Sequence, residues 1–114
     1  MAGRRVLLVE DEYFIADDMV RAFEASGAEV VGPAASVDGA LALLAATERL
    51  DGAVLDANLQ GEMAFPVADA LGERGVPFVF ATGYDESSIP PRYAHVTRCE
   101  KPVDPDKIAA ALFP

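Results

Sequence analysis

The 114-residue sequence predicts an α/β domain, a parallel sheet with helices on both faces. Three observations predict it. Short apolar runs alternate with helical stretches five times along the chain, as parallel strands joined by right-handed crossovers require. Several of those runs stop abruptly at polar residues: Glu10-Asp11, Asp56, Thr82 and Lys101. The length suits one domain with its own core.

Arg5-Val6-Leu7-Leu8-Val9 reads as a first buried strand that delivers Glu10, Asp11 and Glu12 at its carboxyl end. From Tyr13 to Ser26 the period becomes helical. Ile15, Ala16, Met19, Val20 and Phe23 share one face, with Asp17, Asp18, Arg21 and Glu24 opposite. Gly27 is placed to cap that helix. Glu29 to Ala34 reads as a second strand, and Pro33 puts it at a sheet edge. Ser36 is a good N-cap for a second helix from Val37 to about Thr47.

Ala53-Val54-Leu55, flanked by Gly52 and stopping at Asp56, reads as a third, buried strand. Gln60-Gly61-Glu62 reads as a loop, and Pro66 falls in the first turn of a third helix reaching Gly75. Val76 to Ala81 is a fourth strand ending at Thr82-Gly83. The fifth runs from His95 to Glu100 and ends at Lys101-Pro102, with a last helix starting at Asp104 or Asp106. The crossover from Tyr84 to Ala94 is irregular, because Pro90-Pro91 forbids a regular helix. It is expected to be mostly loop, with at most one helical turn. One domain covering residues 1–114 is expected, with no linker to an output domain.

Composition narrows the function. The net charge is −10, from 9 Lys and Arg against 19 Asp and Glu, so a nucleic-acid partner is not expected. No apolar run approaches the ~20 residues that span a bilayer. No secretory signal is legible at the N-terminus, and a cytoplasmic location is the default. The single Cys99 excludes an internal disulfide and a cysteine zinc site, and His95 alone builds no histidine site. Cys99 is assigned to a buried strand position and His95 to an exposed or structural one. What remains is an oxygen-rich acidic site, which suits Mg²⁺ or Ca²⁺.

If the strands lie in the order 2-1-3-4-5, their polar ends meet at one crevice. Three carboxylates gathered there need a cation, and Mg²⁺ answers that need. A carboxylate can attack a phosphoryl group to give an aspartyl phosphate. Mg²⁺ and the Lys101 ammonium would neutralise the transferred charge, and the Thr82 hydroxyl could bond a phosphoryl oxygen. Taken singly, Glu10 and Asp11 could cap a helix, Asp56 and Thr82 could form turns, and Lys101 could pair with Glu100. Together these alternatives need unrelated coincidences at four strand ends.

The stretches Leu-Leu-Val-Glu-Asp-Glu (7–12), Val-Leu-Asp-Ala-Asn-Leu (54–59), Ala-Thr-Gly (81–83) and Glu-Lys-Pro (100–102) resemble the receiver domains of two-component response regulators. The resemblance implies a (βα)5 flavodoxin-like, doubly wound fold and a phosphorelay function. It implies that Asp56 takes a phosphoryl group from a histidine kinase. Asp11, Asp56 and the Asn58 backbone carbonyl would hold Mg²⁺, with Glu10 reaching it through water. Lys101 would bind the phosphoryl group and Thr82 would be the switch hydroxyl. The protein would then signal to a downstream partner or act as a phosphate sink, catalysing at most its own phosphorylation and dephosphorylation.

Pro77-Phe78, Phe80-Ala81-Thr82-Gly83-Tyr84 and Asp56-Ala57-Asn58-Leu59-Gln60-Gly61 look like the FATGUY group of receivers, which is associated with HWE-type kinases and an altered fourth helix. Two departures from the general receiver pattern bear on function. Glu10 replaces a frequent aspartate. Arg98 stands three positions before the lysine, where most receivers have an aromatic, so Tyr84 is the expected switch partner of Thr82. Two other function classes compete: a Mg²⁺-dependent phosphohydrolase or Toprim-like enzyme, and a receiver-like binding module that takes no phosphate. Asn58 and Tyr13, where a second acid of a hydrolase would stand, weigh against the first.

Overall fold

A computed structural model describes residues 1–59, 61–82 and 89–114. Its elements are β1 (Arg5–Val9), α1 (Tyr13–Ala25), β2 (Glu29–Ala34), α2 (Val37–Ala46), β3 (Gly52–Asp56), β4 (Asn58–Leu59), β5 (Glu62–Met63), α3 (Phe65–Glu73), β6 (Phe78–Thr82), a 3-10 turn (Pro91–Tyr93), β7 (Arg98–Glu100) and α4 (Pro105–Leu112). Five strands form one sheet in the order β2-β1-β3-β6-β7, every pair parallel. This is the expected 2-1-3-4-5 order, with β6 and β7 as fourth and fifth strands.

Successive side chains of a strand point to opposite faces, and both faces here are covered. Val6, Leu8, Val54 and Val79 therefore meet Met19 and Phe23 of α1 and Ile108 and Leu112 of α4. Their neighbours Leu7, Val9, Ala53, Leu55 and Phe80 meet Val37 and Leu44 of α2 and Val67 and Leu71 of α3. This double cover is why the inner strands read as unbroken apolar runs rather than as alternating ones.

The helix ends follow local chemistry. Ser36 Oγ accepts from Gly39 N at 3.0 Å, and Asp104 accepts from Asp106 N at 2.9 Å. After α1, Gly27 takes φ +91° while Gly27 N and Ala28 N bond to Glu24 O and Phe23 O, a glycine-dependent Schellman stop. Pro33 lies in the edge strand β2 and Pro66 in the first turn of α3, as expected.

Beyond shifts of two residues at the start of the fourth strand and the end of the third helix, four features differ from the sequence-based expectation. Glu62, assigned to a loop, begins β5, which pairs antiparallel with β4 to form a hairpin directly after Asp56. The fifth strand starts at Arg98 rather than His95, because a turn hydrogen bond from Val96 N to Tyr93 O uses the residues before it. Cys99 is half-buried on this edge strand, where burial raises its thiol pKa. Tyr93, not foreseen as core, is buried; its hydroxyl bonds to Phe65 O and Asp69, and its ring stacks on Phe65. In the proline-rich crossover only the 3-10 turn is helical among the described residues, in line with the single turn expected there.

Candidate functional site

Each strand end places one part of the crevice. β1 ends at Val9, so Glu10 and Asp11 emerge at the carboxyl edge, and β3 ends at Asp56 itself. Asp56 stands opposite Ala81 in the register with β6, which leaves Thr82 as the last residue beside it. Lys101 follows β7, and its backbone N–H donates to Thr82 O at 3.0 Å. The expected order therefore brings Glu10, Asp11, Asp56, Thr82 and Lys101 to one edge of the sheet.

Lys101 reaches into the site. Its Nζ donates to Asp56 Oδ2 at 3.0 Å and to Glu10 Oε1 at 3.1 Å. Glu10, Asp56 and Thr82 are buried, Asp11 is half-buried, and a carboxylate oxygen from each of Glu10, Asp11 and Asp56 lies within 4.8 Å of the others. Asp56 Oδ1 accepts from Asn58 N at 3.2 Å, and Asn58 Oδ1 accepts from Gly61 N at 2.7 Å. Gly61 takes φ +89° at this turn, a conformation that favours glycine.

Three carboxylates share one ammonium here. Burial raises the Glu10 pKa; the charge of Asp56 adds to the rise and Lys101 opposes it. Burial likewise raises the Asp11 pKa, with the charge of Asp56 second. Burial by itself would lower the Lys101 pKa, but its hydrogen bonds to Glu10 and Asp56 hold it above the ordinary value. Glu10 Oε2 is buried 2.8 Å from the ammonium without an aligned hydrogen bond. An oxygen-only donor set with surplus negative charge fits a hard divalent cation such as Mg²⁺.

Tyr84, the sequence-based switch candidate, lies outside the described residues, as do Gln60 and Gly83 of the FATGUY-like stretches. Arg98 is exposed on β7, opposite Phe80 in register. His95 is exposed, away from these strand ends. At the mouth of the crevice Tyr13 and Phe14 are 74% and 75% exposed and meet edge to face at 5.5 Å. Beside the crevice a groove runs between α1 and residues 101–103, lined by Ile15, Asp18, Met19, Ala22, Lys101, Pro102 and Val103. Sequence reasoning did not mark this aromatic pair, although two consecutive aromatics directly after an acidic strand end were its visible signal.

A doubly wound sheet with an acidic triad and a lysine at its strand ends forms a crevice where a carboxylate can accept a phosphoryl group. No protein-family model matches the chain, and no curated protein matches it. Solved structures do. The chain is 40% identical to SdrG from Sphingomonas melonis Fr1, with TM-score 0.84, over 96% of this chain and 92% of that one. It is 39% identical to SdrG from Pseudomonas melonis Fr1 in its BeF3-activated conformation, with TM-score 0.78, over 97% and 94%. It is 30% identical to the response regulator PhyR from Brucella abortus, with TM-score 0.76, over 99% of this chain and 49% of PhyR. The chain belongs to the response regulator receiver domains.

Proposed function

We propose that Asp56 is the phosphoacceptor, taking its phosphoryl group from a histidine kinase. The observation that carries this is the placement of Asp56 Oδ2 at 3.0 Å from Lys101 Nζ, inside a cluster with Glu10 and Asp11. In the reaction an Asp56 carboxylate oxygen attacks phosphorus. The bond from phosphorus to the donor histidine nitrogen breaks, and the imidazole leaves with that electron pair. Lys101 holds positive charge against the phosphoryl oxygens, and Thr82, at the end of the neighbouring strand, offers them its hydroxyl. Asp11, Asp56 and the Asn58 carbonyl would hold Mg²⁺, with Glu10 beside them. When bound, Mg²⁺ supplies further neutralisation of the transferred charge.

The exposed Tyr13–Phe14 pair and the apolar groove beside Lys101 give the donor a surface next to the acceptor. The likeness to a BeF3-activated SdrG supports a phosphorylation-dependent switch. The stretches 77–84 and 56–61 support assignment to the FATGUY group, with an HWE-type kinase as donor and Tyr84 as the switch partner of Thr82. The protein then acts on a downstream partner or drains phosphate from its kinase, in the cytoplasm.

The test is intact-mass measurement after incubation with Mg²⁺ and a small acyl-phosphate donor. A single phosphate adduct in the wild type, absent from Asp56→Asn, is the expected result. Steady release of phosphate over many turnovers would point instead to a phosphohydrolase. No adduct with any donor would leave a receiver-like binding module.

A further inference from the structure

The acidic crevice is bordered by a chain of hydrogen bonds that passes through the N-terminus of α2. On one side Glu10 N donates to Ala34 O at 2.9 Å, which ties the end of β1 to the end of β2 just before α2. On the other side Val37 N, the first amide of α2, donates to Glu62 Oε1 at 3.4 Å. Glu62 sits in β5, paired with Leu59, while Asn58 pairs with Met63 in the same hairpin. Asn58 N returns to Asp56 Oδ1 at 3.2 Å. The path therefore starts at the acid of β1, crosses to β2 and α2, reaches the hairpin through one carboxylate, and ends on the acid of β3.

Asn58 is the residue whose carbonyl the proposed Mg²⁺ site uses, and it is exposed at the hairpin. The hairpin's base is packed, with Ala57, Leu59 and Ala64 buried and Ala64 N bonded to Ala57 O at 2.9 Å. Packing anchors the base, while the Glu62 carboxylate is a polar tie from the outer strand to the fixed end of a helix. Its acceptor oxygen faces an amide that the helix cannot satisfy internally, at the end that favours negative charge. The other first-turn amide with a side-chain partner, Gly39 N, is taken by Ser36, so the two acceptors divide the work at this helix end.

We propose that Glu62 is a positioning residue for the divalent-cation site: by bonding to the Val37 amide it holds in place the β4–β5 hairpin, and with it the Asn58 backbone whose N–H bonds to Asp56. This rests on the function proposed above, because it takes the Asn58 carbonyl as a cation ligand. Glu62 itself touches neither the cation nor the phosphoryl group.

The experiment is a Mg²⁺ titration of the full 114-residue chain followed by backbone amide spectra. Glu62→Ala is expected to raise the Mg²⁺ dissociation constant about fivefold, the loss of roughly one hydrogen bond's worth of preorganisation. Glu62→Gln keeps an acceptor oxygen without the charge and is expected to bind within about twofold of the wild type. Val37→Pro removes the donor from the other side; proline is well tolerated at the first helical position, and Ser36 already has the extended backbone that precedes it. It should weaken Mg²⁺ binding like Glu62→Ala, and the double variant should lose no more than either single one. A Glu62→Ala protein that binds Mg²⁺ like the wild type overturns the proposal. So does a Glu62→Gln protein as weak as Glu62→Ala, since that result assigns the effect to long-range charge. A wild type that binds no Mg²⁺ overturns the proposed function, and the positioning role with it.

Discussion

Replacing Asp56 by asparagine should stabilise the protein when no divalent ion is present, even though it removes an ion pair to Lys101. One carboxylate oxygen from each of Glu10, Asp11 and Asp56 lies within 4.8 Å of the other two, so at an effective dielectric of about 20 each like-charge pair, when fully ionised, costs ~3.5 kcal/mol. Asp56 takes part in two such pairs. Its attraction to Lys101 at 3.0 Å returns ~5.5 kcal/mol on the same scale. The balance is a repulsion of about 1.5 kcal/mol, before the cost of burying the carboxylate is counted. The substituted side chain would keep a carbonyl oxygen to accept from Asn58 N. Urea or thermal unfolding in the presence of a chelator should therefore show Asp56→Asn gaining about 1–2 kcal/mol, a rise of roughly 5 °C for a domain of this size. Millimolar Mg²⁺ should narrow the gap by stabilising the wild type more. A loss of more than about 1 kcal/mol in the chelated variant would refute the reasoning, because it would mean that Lys101 already balances the three acids. Lys101→Met is the opposite perturbation. It leaves buried acids without their ammonium and should cost about 3 kcal/mol.

With divalent ions chelated, stability should decline as pH rises above the ordinary carboxylate range. Glu10 and Asp11 have raised pKa values, so the native state holds more protons than the unfolded chain between the ordinary and raised values, and each step up in pH through that window costs stability. Asp51 acts the other way. The Arg5 N–H and the Arg49 side chain lower its pKa, so its contribution is present above the ordinary value and is lost as pH falls through the lowered one. Denaturation profiles against pH should show the decline, and Glu10→Gln should flatten it; an unchanged slope in that variant would count against it. Tyr93→Phe keeps the ring stacked 5.5 Å from Phe65 and loses the hydroxyl's bonds to Phe65 O and Asp69, so it should cost about 1 kcal/mol. Tyr93→Ala, which empties the site against Phe65, Phe78 and Phe80, should cost about 3–5 kcal/mol. Equal costs for the two variants would place the energy in the hydroxyl rather than the ring.

The parallel sheet, its double helical cover and the residues at its strand ends were legible because each is written in a short window. An unbroken apolar run marks a strand covered on both sides, and the polar residue that stops it marks the strand end. Ser36, Gly27 and Pro66 were equally legible, since a cap or first-turn proline acts on amides within a few positions. The hairpin after Asp56 was not, because β4 and β5 have two residues each and carry no period. Tyr93 was missed for a related reason: it follows two prolines in a stretch without helical or strand pattern, and only its fit among Phe65, Phe78 and Phe80 makes it core.

The sequence by itself determined which side chains stand at strand ends, because backbone pattern and polarity act between near neighbours. It left open which of them touch. Lys101 meets Glu10 across 91 positions and Asp56 across 45, and the Val37 amide meets Glu62 across 25. Those contacts exist only once the sheet has taken the order β2-β1-β3-β6-β7 and the hairpin has folded against α2. The strength of the charge conflict at Asp56 was decided there too, since burial and separations of a few ångström set it, and neither belongs to any single stretch of chain.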